Sequence, residues 1–456
     1  MAVSLAVKNA PSAAGELSPA EPVSADCISL TLMILGLLGS FVAFISYERA
    51  LKAQLKPYEL FSGQIVKSQL YYVAHTIEDI LLIAAGLVAL FRTDWRKIER
   101  GYTFRFALLL AAALLMTVRG YSVDQLLSTK IADFSGPVPF LLSLLVFVGA
   151  RRGNWRVIET VMAVMALLFC GLVAVGIAGL RNFTRQEAIA SLGGTVAALY
   201  WPAAWIALRE YPRGSLARRL RFVPVAIYGL GSLFTQTRLL FVMLLGLLAL
   251  YVYFQHKRRT LNAAAWIAAL LVFVWAGLFT AVFLLDTRAF QRTETVTAAF
   301  WSRLDEDTRT GQLRSFAESV RPEELVLGRG ALGSWMWQRA VWGGGTDVGY
   351  LTLLFYGGLP LLITYVASHV TPCLRVFRTD SHNWQVTPAA LGLLWGINLF
   401  SSAFPGQNIQ YYLILLCVGA CINRELVRES ALRMPRRGGP IRYRMQRREH
   451  MQGRGV

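Results

Sequence analysis

Charged side chains are scarce in this chain. Only 16% of its 456 residues are Asp, Glu, Lys or Arg, against 55% hydrophobic residues and a mean hydropathy of +0.46. That mixture excludes an ordinary soluble domain, in which about a quarter of the residues are charged. Cysteine is also sparse, with five in all. Cys27, Cys373 and Cys421 fall beside one set of loops and Cys170 and Cys417 inside apolar runs, so neither a disulfide framework nor a Cys-x-x-Cys metal motif is indicated. Residues 1–25 are rich in Ala, Ser, Pro and Glu and lack a basic n-region. No cleaved signal peptide is expected, and the segment reads as a disordered cytosolic lead.

Long apolar runs are what the chain has instead. They lie at about 26–47, 69–91, 102–118, 137–150, 157–180, 191–208, 220–236, 238–255, 262–285, 346–369, 387–403 and 408–423. Most are long enough to cross roughly 30 Å of hydrocarbon as a helix, and 137–150 is short. The expected fold is therefore an all-α, polytopic membrane protein with about twelve transmembrane helices. Spans one to nine occupy 26–285 and spans ten to twelve 346–423. One long loop, 286–345, separates them, and a basic tail, 424–456, follows.

The basic residues fix an expected orientation. Loops 92–105, 151–156, 209–221, 257–259 and 370–385 hold eighteen Lys or Arg, whereas 48–68, 119–136, 181–190, 235–238 and 404–408 hold nine. By the positive-inside rule the first set is cytosolic. The tail, with ten Arg and three Glu, joins it, so both termini are expected in the cytosol. The net charge of +19 is thereby assigned to topology and to anionic lipid rather than to nucleic acid.

Against this background a few polar groups stand out. Arg238 is the single formal charge between Phe222 and Phe254. Gly229, Gly231, Ser232, Thr235 and Thr237 mark a tight hairpin before it, which places Arg238 at the outer end of the eighth span. It is either a snorkelling anchor or an anion ligand whose fork matches phosphate oxygens. In "YYVAHTIEDI", His75, Glu78 and Asp79 share a helix face; the acids either complement the macrodipole at the start of the second span or face a polar cavity. Asp347, in "GGGTDVGYLTLLFYGGLP", is either the N-cap of the tenth span or a general base at the lipid boundary.

The long loop carries eight Arg, namely Arg288, Arg292, Arg303, Arg309, Arg314, Arg321, Arg329 and Arg339, against eight acids. Within it "TGQLRSFAESVRP" sets Leu313, Phe316, Ala317 and Val320 at helical spacing, and Pro322 follows the last turn. An amphipathic helix lying on the membrane surface is expected. Turns in "VLGRGALGSW" and "WGGG" follow, with Trp335, Trp337 and Trp342 as an interfacial belt or as sugar-stacking platforms.

These stretches carry a family resemblance. "FTQTRLLFVMLLGLLALYV" resembles the Ser/Thr-x-x-Arg hairpin and Leu-rich span of the O-antigen polymerase and ligase superfamily. "TGQLRSFAESVRPEELVLGRGALGSW" is similar to that family's Gly-x-x-x-Arg helix and the glycine-rich turn after it. "TDVGYLTLLFYGGLPLLITYV" looks like its next span. Order and spacing agree over residues 220–370, while the earlier spans match in hydropathy alone.

The resemblance implies a GT-C-like glycosyltransferase of the bacterial inner membrane. It would use undecaprenyl-diphosphate-linked oligosaccharide on the periplasmic side, without a nucleotide sugar, metal or other cofactor. Thr346 and Asp347 stand where the ligase branch usually carries a His, which favours a Wzy-type polymerase of exopolysaccharide or O-antigen; a ligase and a lipid-linked oligosaccharide transporter are the alternatives. In this reading Arg238 and Arg314 hold the donor diphosphate. Asp347 is the base, with Glu78 in reserve, and Arg288, Arg321 and Arg329 are secondary phosphate or glycan contacts. A chain-length regulator and a flippase are the expected partners beside the bilayer itself.

Overall fold

In the computed structural model the described residues are 26–54, 68–122, 136–180, 188–211, 214–235, 238–257, 308–331, 333–337, 340–342, 348–377, 385–400 and 408–424. The expected ninth span, 262–285, the lead 1–25 and the tail beyond Arg424 lie outside them. The chain is an α-helical membrane protein, with six described helices long and apolar enough to cross a bilayer. In chain order the helices are α1 (Cys27–Gln54), α2 (Gln69–Phe91), α3 (Tyr102–Arg119), α4 (Val138–Gly149), α5 (Trp155–Ala178), α6 (Gly194–Leu208) and α7 (Leu216–Leu220). Then come α8 (Val223–Thr235), α9 (Arg238–Lys257), α10 (Thr308–Ser319), α11 (Pro322–Leu327), α12 (Gly349–Phe377), α13 (Val386–Asn398) and α14 (Ile409–Ile422). A small antiparallel hairpin pairs β1 (Trp335–Trp337) with β2 (Ala340–Trp342), setting Trp335 opposite Trp342.

Within the described residues the apolar runs become helices almost where they stand. The run from Phe222 to Phe254 is occupied by α8 and α9, and the Tyr228 hydroxyl donates to the Leu240 carbonyl across the pair at 2.8 Å. The short run 137–150 is a helix with a 3-10 turn at Leu142–Leu144. Its side chains are nearly all buried by protein, so it meets little lipid. Elsewhere the outer faces are bare hydrocarbon: Leu38, Ile80, Leu114, Leu167 and Val175 are all exposed. Lipid tails satisfy such faces at no cost.

Between helices the contacts rest on small residues. A Cβ at Gly39 of α1 would sit 3.4 Å from the Glu78 Cβ of α2, and one at Gly36 would lie 2.7 Å from Leu82. The closest crossing joins α4 and α14. There a Cβ at Gly149 would meet the Leu416 carbonyl oxygen at 2.1 Å, and one at Gly419 would meet the Val146 carbonyl oxygen at 2.1 Å. Backbone cannot rotate away as a side chain can, so neither site accepts a larger residue.

A chain of hydrogen bonds threads the centre. Trp395 Nε1 donates to the Tyr365 hydroxyl at 3.0 Å, and that hydroxyl bonds Tyr411. The Tyr411 and Ser143 hydroxyls are 3.2 Å apart, and Ser143 Oγ lies 3.2 Å from His369 Nε2. His369 Nδ1, 3.1 Å from the Tyr365 carbonyl, must carry the ring proton because a carbonyl only accepts. Nε2 is therefore the acceptor and Ser143 the donor. Helices α4, α12, α13 and α14 are joined by it, with every link satisfied.

The bundle has two chemically different ends. At one, the Asp26 carboxylate accepts from Arg92 at 2.9 Å and from Arg151 at 2.8 Å. Glu99 pairs with Arg105 at 2.7 Å and Arg375 at 2.5 Å. Arg209 reaches Glu159 at 2.7 Å, Phe377 stacks on Tyr253, and the Arg424 amide donates to Lys97 at 2.7 Å. Described residues of four of the basic loops, 92–105, 151–156, 209–221 and 370–385, thus meet at this basic end. The far end collects Ser46 with Ser68 at 2.6 Å, Gly120 with Ala331, and Tyr350 with Leu399.

Gly419→Val drives a side chain into the Val146 carbonyl, and a cost of about 1–3 kcal/mol or more is expected. Gly171→Ala enters open space and should leave the protein as stable or slightly more so. Thermal midpoints of the two purified variants in one detergent compare them directly.

Candidate functional site

The site begins with a break in a membrane helix. Within α12, Gly358 adopts φ 67°, ψ −168°. Pro360, two residues on, has no N–H to offer the Tyr356 carbonyl, its i−4 partner. Two carbonyls are thereby released inside the bundle, where an unsatisfied backbone group is costly. The long loop satisfies both. The Arg329 amide donates to the Phe355 carbonyl at 2.7 Å, and the Gly330 amide to the Tyr356 carbonyl at 2.9 Å. The next amide, of Ala331, donates to Met116 near the end of α3 at 3.0 Å.

This docking requires glycine on both sides of the contact. Gly328 has φ 75°, and a Cβ there would fall 2.3 Å from the Tyr356 carbonyl oxygen. A Cβ at Gly358 would fall 2.6 Å from the Gly328 nitrogen, so the two backbones touch. The "LGRGALG" stretch is thus a plug for the broken span.

Two helices of the loop lead into the plug. Phe316 of α10 is 5% exposed and meets the Phe355 ring edge-on at 5.4 Å, and Val320 is buried too. Of the expected apolar face, Phe316 and Val320 are thus turned to protein, with Phe355 of α12 as aromatic partner, while Ala317 is exposed and the Leu313 side chain lies outside the described residues. α11 begins at Pro322, and Glu324 accepts from the Arg321 amide at 2.9 Å, satisfying one of its open N–H groups.

Arg329 ties these pieces together. Its Nη2 donates to the Ser319 carbonyl at the end of α10 and to Glu324, each at 2.9 Å. Nη1 reaches the Ser334 carbonyl, and the guanidinium lies over the Phe355 ring, 5.4 Å from its centroid. The same bond to Arg329, with the Arg321 amide and the nearby charges, holds the Glu324 carboxyl below its ordinary range against the opposing effect of burial.

The remaining candidates fall in different places. Arg314, on α10, keeps 82% of its side chain exposed while its Nε lies 3.1 Å from Glu318 one turn on. Arg321 is exposed at the start of α11. The docked loop thus brings Arg314, Arg321 and Arg329 into one unit. Arg238 opens the described part of α9; its side chain lies outside the described residues, as do Arg288 and Asp347. Below Arg238, α9 lines an apolar cleft of about 710 Å³ through Val242, Gly246 and Tyr253, closed by Phe377, Leu394 and Ile397.

Glu78 belongs to another interface. α2 starts at Gln69 behind the N-cap Ser68, so Glu78 and Asp79 lie in its third turn, and no acid occupies its first. The macrodipole therefore does not account for them, because its effect fades within the first turn. Glu78 is 1% exposed between α1 and α2, with Oε2 bonded to His75 Nδ1 at 3.1 Å. Tyr412 of α14, which the sequence reading passed over, approaches the same carboxylate without a well-formed hydrogen bond. His369 was also legible as a lone histidine in an apolar run, whereas its partners Ser143 and Tyr411 carried no signal.

No protein-family model matches the sequence, and no curated protein matches it.

The bond between Glu324 and Arg329 makes the plug sensitive to acid. A depressed carboxyl contributes stability that is complete above its ordinary value of 4.5 and is lost as the pH falls through the lower folded value. Hydrogen exchange of the amides at 329–331 should accelerate as the pH drops through that range, after correction for intrinsic rates. In Glu324→Gln the acceleration should already be present at pH 7.

Proposed function

We propose that this chain is a membrane-embedded glycosyltransferase. It passes a growing glycan from a polyprenyl diphosphate to the hydroxyl of a second lipid-linked oligosaccharide at the far end of the bundle. One observation carries most of the reading: α10 and the plug hold an exposed Arg314 on a scaffold anchored to a broken span. A guanidinium fixed at a membrane boundary is suited to bidentate pairing with diphosphate oxygens. The apolar cleft along α9, leading away from Arg238, has the chemistry to accept the hydrocarbon of the same substrate. The resemblance over residues 220–370 supplies the reaction class.

In this reaction the acceptor hydroxyl oxygen forms a bond to the anomeric carbon of the donor sugar. The bond from that carbon to the diphosphate oxygen breaks, and the lipid diphosphate leaves with its electron pair. Arg238 and Arg314 neutralise the charge that grows on it, the electrostatic contribution usually largest in such transfers. Asp347 takes the hydroxyl proton. A single displacement inverts the anomeric centre. Glu78, shut between α1 and α2, takes no part, since a sugar hydroxyl could not touch it without the helices parting. Arg329 holds the loop instead of the substrate, as its bonds to Ser319, Glu324 and Ser334 indicate.

Purified protein given lipid-linked repeat units alone should lengthen them, as a polymerase does and a ligase does not. Arg314→Ala should lose about 100-fold or more of this activity at unchanged abundance. Arg314→Lys should recover little, because a point charge replaces a fork. Normal elongation by Arg314→Ala would refute the diphosphate role.

A further inference from the structure

The group formed by His75, Glu78 and Asp79 has no place in the reaction above, yet it is built like a binding site. One donor atom from each residue lies within 4.8 Å of the other two. All three come from one face of α2, at i, i+3 and i+4. Counted from Ser68 at 1.5 Å per residue, they sit roughly 10–16 Å along the helix. Ionisable groups at such depth are expensive and mark functional sites by default.

Two further observations point to a missing ligand. Glu78 is 1% exposed, and its Oε1 has no hydrogen-bond partner among the described residues. Tyr412 is wholly buried in the neighbouring α14, and its hydroxyl, also without a partner among the described residues, faces Glu78 and Asp79. A buried carboxylate oxygen without a donor is costly, and the Tyr412 phenol lies beside it without meeting the geometry of a hydrogen bond. Gly39 lets α1 close over Glu78, so no side chain from α1 at that position fills the space.

We infer that His75, Glu78 and Asp79, with Tyr412 across from them, form a binding site for a divalent cation inside the helix bundle. An imidazole beside two carboxylates suits a cation of intermediate hardness. The donor atoms all lie within 4.8 Å of one another, and manganese, which takes carboxylate oxygen readily and accepts imidazole, is the cation this set suits. Bound there, the ion offsets the adjacent carboxylates and ties α14 to the α1–α2 hairpin. The inference stands apart from glycosyl transfer.

The test titrates the full-length chain in lipid nanodiscs with Mn2+, reading the free ion by electron paramagnetic resonance. One Mn2+ per chain is expected. Glu78→Gln should weaken binding at least tenfold, and the nearly isosteric Tyr412→Phe at least threefold. Mn2+ should raise the thermal midpoint of the wild type and leave that of Glu78→Gln unchanged. The absence of a stoichiometric site in the wild type overturns the inference, as does equal affinity in the wild type and Tyr412→Phe. No glycan enters the measurement, so failure of the enzymatic reading leaves its outcome intact.

Discussion

A backbone carbonyl in a hydrocarbon slab has no water to turn to. In this protein that constraint is felt most sharply at Gly358–Pro360, where α12 cannot continue its own ladder. The acceptors it abandons, on Phe355 and Tyr356, are claimed by a loop more than twenty-five residues earlier in the chain. Once those two bonds form, the neighbouring structure is largely determined. The Gly328 and Gly358 backbones must touch, Phe316 must seat on Phe355, and Arg329 must lie between the end of α10 and Glu324. The position of Arg314 in space is a consequence of how a broken helix is repaired.

The centre of the bundle shows the same logic applied to side chains. Trp395, Tyr365, Tyr411, Ser143 and His369 are polar groups among apolar neighbours, tolerated because each donor meets an acceptor in one continuous order. The order also fixes the tautomer of His369. At the basic end, Asp26 is held by two guanidiniums from different loops. The group at His75 is unlike these, since both Glu78 and Tyr412 keep an unmatched oxygen.

Much of the fold was legible because apolar length is a strong signal. The bounds of α2, and the presence of two helices, α8 and α9, within one greasy run, followed from where polar residues and a lone charge interrupt the apolar sequence. The basic loops were legible as a set, and ion pairs of Arg92 and Arg151 with Asp26, Arg105 and Arg375 with Glu99, and Arg209 with Glu159 gather four of them at one end. The site was legible only in outline. "GRGALG" announced a turn but not that its amides serve a helix far along the chain, because hydrogen bonds between remote segments leave no periodicity. Arg329 looked like any other loop arginine. Glu78 and Asp79 were legible as one helix face with His75, and only the cap at Ser68 shows that they lie about three turns in, beyond the reach of the macrodipole.

The shortness of two buried helices has one more consequence. α4 and α14, of about 18 and 21 Å at 1.5 Å per residue, are fastened together at the basic end by Asn423 and the Ala150 carbonyl, 2.7 Å apart. Against roughly 30 Å of hydrocarbon, they stop about a third of the way short of the opposite boundary. Helices that short do not cross by apolar length alone, so their place in the bundle rests on the protein that buries them.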